Sequence, residues 1–199
     1  MLKVEKQYNE KYGDISKENE ERITLLKNLL KPNTEKLLEE EITRIKKIRW
    51  KREHFVIYIL PKATPRPRLG KSGVFYVKGS ADNKKIFQKY LLNRKINMIY
   101  TPAKFCCKSY LPTPTSMSKV EMVLAEMGLI RPISKPDWDN IGKAYCDMIQ
   151  GFLIYDDSLI IKGMSEKFYS IKPRIEITIS YMEDFDSKFN KRKMLKRKG

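Results

Sequence analysis

Histidine and cysteine are scarce in this chain of 199 residues, and their scarcity excludes several kinds of site. The single histidine, His54, has no recognisable partner motif for a nucleophilic triad. Three cysteines, two of them adjacent at Cys106 and Cys107 and the third at Cys146, make a poor disulfide framework. They also lack the spacing of zinc ligands, so we expect ordinary reduced thiols.

Long apolar runs are also missing. The best, Phe55 to Leu60, has the length of a strand, whereas a membrane-spanning helix needs roughly 18 or more apolar residues. The first ten residues, MLKVEKQYNE, contain no apolar signal core. We therefore expect a cytoplasmic protein with no membrane partner.

Acidic residues are outnumbered, which gives a formal net charge of +17. Residues 1–49 are nearly balanced, with 12 Lys and Arg against 10 Asp and Glu, so almost all of the excess lies further on. The end of the chain, residues 188–199, carries seven basic residues and no acid. A polyanion such as DNA is the expected partner, and we expect this tail to be disordered and to attract it.

Apolar periodicity predicts helices over residues 16–30 and from Thr34, as the N-cap, to about residue 48. Together they form a predicted helical hairpin, a 1–50 arm. Two interpretations stay open. The arm either binds a partner or supports a dimer, or it packs on its own domain.

Strands are predicted at residues 54–60 and as a pair at 167–170 and 174–181, while the proline-containing stretch 101–116 is predicted to be a loop. Arg66 and Arg68 alternate with prolines in an extended segment. Guanidinium groups there suit phosphate contacts, although a solvated basic loop is the alternative.

The most informative segment is residues 135–160, KPDWDNIGKAYCDMIQGFLIYDDSLI. An acidic cluster in a basic chain repels the polyanion that the chain attracts, unless a divalent cation lies between them. In extended chain Asp137 and Asp139 project on the same side, and in the helix that follows, Asp139, Lys143 and Asp147 share a face. The pair Asp156-Asp157 follows at a turn.

Two or three such carboxylates suffice for Mg²⁺, which prefers oxygen ligands and keeps several waters. Lys143 is placed to stabilise the extra negative charge of a phosphodiester transition state. The simpler interpretation is that Asp139 caps the helix and forms an ordinary ion pair with Lys143, and that Asp156 and Asp157 only form a turn.

The order of these residues closely resembles the signature of RusA-type Holliday junction resolvases, in the form found in phages and prophages. The matching elements are a basic residue, Pro, Asp, an apolar residue, Asp-Asn, Lys three residues later, Asp four later, a helix ended by glycine, and Asp-Asp. The resemblance covers roughly residues 53–182, with further matches at Pro65–Arg68, Lys119, Lys167–Tyr169 and Arg174–Tyr181.

The resemblance implies a homodimeric, Mg²⁺- or Mn²⁺-dependent endonuclease that places paired symmetric cuts across four-way DNA junctions. The implied fold is α/β (α+β), with a compact mixed sheet and packed helices over residues 51–183, between the arm and a 184–199 tail. The implied metal-binding carboxylates are Asp137, Asp139, Asp157 and Asp156, and the first three are catalytic with Lys143. The predicted DNA-binding residues are Arg66, Arg68, Lys119, Lys135 and Lys167.

Two alternatives remain open at this point. One is a non-catalytic protein that binds branched DNA, and the other is a structure-specific nuclease with flap or fork substrates. The expected setting is DNA recombination and repair, or phage DNA processing, in the cytoplasm of a bacterial or phage-infected cell.

Overall fold

The structure, a computed structural model, describes residues 19–63, 68–70, 73–75, 81–94, 96–183 and 185. Arg66 and nearly all of the predicted tail lie outside them. The backbone divides into two compact units, residues 1–48 and 49–199, and each is described by itself.

The first unit contains the two predicted helices, α1 (Asn19–Asn28) and α2 (Pro32–Lys46). Helix α2 begins at Pro32, with Lys31 in the N-cap position, so the prediction of Thr34 as N-cap is wrong. Proline suits a first helical position because its missing N–H would have no partner there. No described residue of α2 is fully buried, and Ile23 and Leu26 of α1 are about half exposed.

The second unit contains a four-stranded sheet and three described α-helices. Its elements are β1 (Trp50–Ile57), β2 (Arg68–Gly70), β3 (Gly73–Phe75), α3 (Ala81–Leu92), β4 (Ala103–Pro112), α4 (Lys119–Glu126), α5 (Trp138–Ile149), β5 (Ile160–Ser170) and β6 (Arg174–Met182). The mixed sheet has the order β1-β6-β4-β5, in which only β4 and β5 run parallel, and β2 pairs with β3. The predicted α+β class is confirmed.

Strand β4 corrects the sequence analysis, because residues 103–112 of the predicted loop form a central strand. Its prolines lie just before the strand and at its last position, where a missing N–H does not interrupt the pairing. Alternate residues of the strand are buried, from Ala103 through Phe105 and Cys107 to Leu111.

The predicted pairing of residues 167–170 with 174–181 is also wrong, since β4 separates β5 from β6. The alternation predicted for the last strand is confirmed, with Ile175, Ile177 and Ile179 fully buried. These side chains belong to the same buried core as Ile141, Ala144, Tyr145 and Met148 on the buried side of α5.

Helix α5 ends before Gly151, the glycine that the resemblance implied at the end of this helix, and its φ of 77° favours glycine. Helix α4 begins with a capping box between Ser118 and Glu121. Across the described part of the chain, none of the helices combines the length and apolar character required to cross a membrane.

Candidate active site

The first predicted carboxylates lie where an extended segment becomes helix α5. Asp137 occupies the N-cap position with extended backbone angles (φ −64°, ψ 143°), and Asp139 lies in the first helical turn. Both are exposed. The helix N-terminus offers a favourable potential to their negative charge, and the exposure leaves them open to solvent ions and substrate.

Side chains of the edge strand β5 fasten this segment. The Lys167 Nζ donates hydrogen bonds to the carbonyl oxygens of Ser134, at 2.7 Å, and Pro136, at 3.0 Å. The Ser165 Oγ donates to the carbonyl oxygen of Trp138 at 2.9 Å. Residues 165 and 167 project on the same side of the strand, so one strand face holds alternate carbonyls on both sides of Asp137.

A close approach between α5 and β5 reinforces this arrangement. Gly142 of α5 lies so near Ser165 that an added Cβ would be 2.8 Å from both the Cβ and the Oγ of that serine. A glycine is required there because any side chain would push the helix from the strand. Sequence reasoning did not single out Ser165 or Gly142, since neither residue type marks a contact that only the tertiary structure creates.

Lys143 connects two parts of the acidic cluster. Its Nζ lies 3.0 Å from Asp147 Oδ1 and 3.6 Å from Asp157 Oδ2. The hydrogen bond and charge of Asp147 are the main causes that raise the pKa of Lys143, and Asp157 adds to them. The amine therefore stays protonated at neutral pH. Asp147, which the sequence placed on this helix face, is a member of the cluster that the predicted site residues omitted.

The two adjacent aspartates have different surroundings. Asp156 precedes a short 3-10 turn, Asp157–Leu159, and its carboxylate accepts a hydrogen bond from the Ser158 N–H at 3.0 Å. It shapes the turn that presents Asp157 to Lys143. Cys146 lies near the same carboxylates, but burial, with the charges of Asp147 and Asp157, raises its pKa to about 11, so this thiol is not a nucleophile at neutral pH.

The donor set suits a hard cation in its chemistry, because carboxylate oxygens are the ligands that Mg²⁺ prefers. Within the described ranges, no three His, Cys, Asp or Glu side chains form a cluster ready to hold a metal ion. The Asp157 carboxylate lies against the Lys143 ammonium. Two carboxylates completed by waters and a phosphate oxygen would satisfy Mg²⁺, which does not require an all-protein cage.

The predicted DNA-binding residues are dispersed. Lys135 is exposed just before residues Asp137 to Asp139, here called the DxD segment, and Lys167 holds that segment through its hydrogen bonds. Lys119 is the first residue of α4, which packs against β5. Arg68 begins β2. The structure therefore brings two of the five, Lys135 and Lys167, to the segment that carries the carboxylates.

Fold and site together define a small, strongly basic α+β protein with two exposed carboxylates at the start of α5 and two more beside Lys143. Residues 59–180 match the family described as Endodeoxyribonuclease RusA. The chain is also 35% identical over 133 residues to "Uncharacterized protein YqaN" of Bacillus subtilis (strain 168), an alignment covering 63% of this chain and 93% of that protein. The chain belongs to the RusA endodeoxyribonuclease family, a family of hydrolases that act on DNA.

Proposed function

We propose that this protein is a Mg²⁺-dependent endodeoxyribonuclease that resolves four-way (Holliday) DNA junctions by paired, symmetric phosphodiester cleavage. The observation that carries the proposal is the anchored DxD segment at the start of α5, next to a lysine that links α5 to Asp157. Membership of the RusA family supports the same reaction class. The expected setting is DNA recombination and repair, or phage DNA processing.

Asp137, Asp139 and Asp157, with Asp156 beside them, would hold Mg²⁺, or Mn²⁺ in its place. When bound, the metal supplies an activated water and offsets charge on a phosphate oxygen. The chain itself supplies position and charge. Lys167 and Ser165 hold the backbone that carries Asp137 and Asp139. Fixed positions of reacting groups lower the entropic part of the activation barrier.

In this mechanism Lys143 stabilises the negative charge that builds on the phosphate during cleavage. Its raised pKa keeps the ammonium charged, and at 66% exposure it is accessible to substrate. In the free protein Asp147 and Asp157 hold it in place. Phosphate contact would replace one of these exposed ion pairs, each worth only ~0.2–1 kcal/mol, so the exchange costs little.

A homodimer suits this task because two equivalent strands must be cut. Two-fold symmetry would place one active site on each strand. The half-exposed Ile23 and Leu26 of α1 support a role of the arm in assembly, since clustered apolar side chains mark association surfaces.

The test separates binding from cleavage in Asp137→Asn and Asp139→Asn. Without metal these carboxylates repel DNA, so we expect the variants to bind a four-way junction as tightly as the natural protein or more tightly, and to lose cleavage. Glu35→Gln, with the same change of charge in α2, is the control and should cut normally. An asparagine variant that cuts at the natural rate would remove that residue from the site.

A further inference from the structure

The central sheet has a second face, opposite the one that packs against α5. Because side chains alternate along a strand, the residues between the buried positions of β1, β4 and β6 project onto this open face, and they are exposed or half-buried. Strand β5 lies at the edge of the sheet and contributes to both faces.

A row of basic residues crosses one end of this face. Strand pairing places Arg52 opposite Ser180, Ser180 opposite Lys104, and Lys104 opposite Lys162, one residue from each strand. At about 4.8 Å between strands, the row spans roughly 14 Å. Arg52, Lys104 and Lys162, here called the basic row, are all exposed.

The basic row is uncompensated, in contrast to the other end of the same face. There, Arg131 pairs with Glu166 at 3.2 Å and Arg174 pairs with Glu176 at 2.7 Å. Among the residues for which the structure gives positions, none of the three basic-row side chains has a carboxylate within ion-pair distance. The basic row is therefore the part of this face where positive charge is not offset by carboxylates of the described residues.

An aromatic side chain accompanies the row. The Lys104 Nζ lies 4.2 Å from the ring centroid of Trp50, which is 38% exposed. The ring holds the Lys104 ammonium at the exposed surface of the sheet, where it can meet a phosphate.

The row lies close to the candidate active site along the chain. Lys162 follows Asp157 by five residues, and the 3-10 turn that presents Asp157 leads directly into β5. On the same strand, Ser165 and Lys167 face the DxD segment. DNA bound at the carboxylates needs only to pass around the edge strand to reach the row.

We propose that the basic row is a second DNA-contacting surface, which holds the phosphate backbone of a duplex arm leaving the active site. The proposal rests on the proposed function, because only a branched substrate offers a second arm. A second copy of this chain is the less favoured occupant, since an isologous contact would set the same positive row against itself.

The first test compares Arg52→Gln/Lys104→Gln/Lys162→Gln with Lys27→Gln/Lys31→Gln/Lys36→Gln, an equal change of charge in the helical arm. Metal-free binding to a four-way junction and to a linear duplex is measured against salt concentration. Each lost phosphate contact lowers the slope of log affinity against log salt by about 0.9. We expect the row variant to lose roughly 2–3 units of slope on the junction and less on the linear duplex, and the arm variant to lose less than about 1.

A charge-retaining variant, Arg52→Lys/Lys104→Arg/Lys162→Arg, should keep the natural slope and so separates charge from folding. If the natural protein binds the junction no more tightly than the linear duplex, the proposed function is wrong. Natural protein with that preference, and a row variant with an unchanged slope, would defeat the basic-row proposal alone. A row variant that changes its molar mass by light scattering, while its slope stays natural, would make the face a subunit interface.

Trp50 provides a second measurement, because the chain has only two tryptophans. In the Trp138→Phe variant, all tryptophan fluorescence comes from Trp50. In the Trp50→Phe variant, it comes from Trp138, which lies between Asp137 and Asp139. We expect a metal-free four-way junction to shield Trp50 from acrylamide quenching more strongly than a linear duplex does. Equal acrylamide quenching of Trp50 with and without the junction would overturn the proposal.

Discussion

Replacing Lys167 with methionine tests whether β5 sets the position of the segment that carries Asp137 and Asp139. Methionine keeps an unbranched side chain but has no ammonium, so both hydrogen bonds, to the carbonyl oxygens of Ser134 and Pro136, are lost. The Ser165 contact to Trp138 remains. We expect the segment that carries Asp137 to be held at one side only.

The expected cost to stability is small and the cost to cleavage is large. Hydrogen bonds from a charged donor contribute about 1.5–3 kcal/mol each, but Lys167 is only partly buried and water can replace it, so we expect a total of ~1–2 kcal/mol. That corresponds to a fall in Tm of roughly 2–8 °C for a domain of this size. A displacement near 1 Å of the carboxylates can cost ~10²-fold in rate.

The assay is single-turnover cleavage of a labelled four-way junction over a series of Mg²⁺ concentrations, with thermal denaturation in parallel. Lys167→Met should cut more slowly and require more Mg²⁺ for its half-maximal rate, and Lys167→Arg should recover part of the loss. Lys85→Met, an exposed lysine of α3 outside the predicted DNA-binding residues, is the matched control.

Two results would exclude a positioning role for Lys167. Lys167→Met with the natural rate and Mg²⁺ requirement would show that the two hydrogen bonds do not position the site. A drop of about 0.9 in the salt slope of metal-free binding, with an unchanged Mg²⁺ requirement, would instead make Lys167 the direct phosphate contact that the sequence predicts.

Three further predictions address other contacts. Lys143→Ala should change stability by less than about 1 kcal/mol, because both ion pairs are exposed, and should slow single-turnover cleavage ~10²–10³-fold. Folding raises the pKa of Lys143, so its ion pairs contribute fully to stability below the unfolded pKa and are lost only as alkaline pH passes the folded pKa. The difference in unfolding free energy between the natural protein and Lys143→Ala should therefore be constant from pH 6 to 9. Gly142→Ala should destabilise by ~1–3 kcal/mol through its contact with Ser165, and Ser165→Gly in the same chain should recover part of it in urea denaturation. Deletion of residues 1–48 should leave a folded domain that has the molar mass of a monomer in light scattering. A truncated chain that is still a dimer would show that the arm does not drive assembly.

Local patterns predicted the helices of the arm, the last strand and the glycine that ends α5, because each depends on neighbours in the sequence. Strand β4 was missed because its bounding prolines suggested a loop and its buried positions include the small Cys107 and the polar Ser109. The separation of β5 from β6 by β4 depends on long-range pairing, which no local pattern specifies.

In the site as well, the sequence predicted local contacts but not long-range ones. The spacing of Asp139, Lys143 and Asp147 correctly predicted a shared helix face, and the structure places the Lys143 ammonium against Asp147. The contact of Lys143 with Asp157 and those of Lys167 with two backbone carbonyls join residues that are distant in sequence. Their existence depends on how α5 lies on β5, which the sequence pattern does not encode.

Cleavage of a four-way junction in the presence of Mg²⁺ or of EDTA decides whether this protein is a metal-dependent junction resolvase. The substrates are a labelled four-way junction, a flap, a replication fork and a linear duplex, each offered to the natural protein and to Asp139→Asn. We expect paired symmetric cuts in the junction with Mg²⁺ or Mn²⁺, and none with EDTA or with the variant. Junction binding without any metal-dependent cut, or faster cutting of flaps or forks than of the junction, would show that the protein is not a junction resolvase.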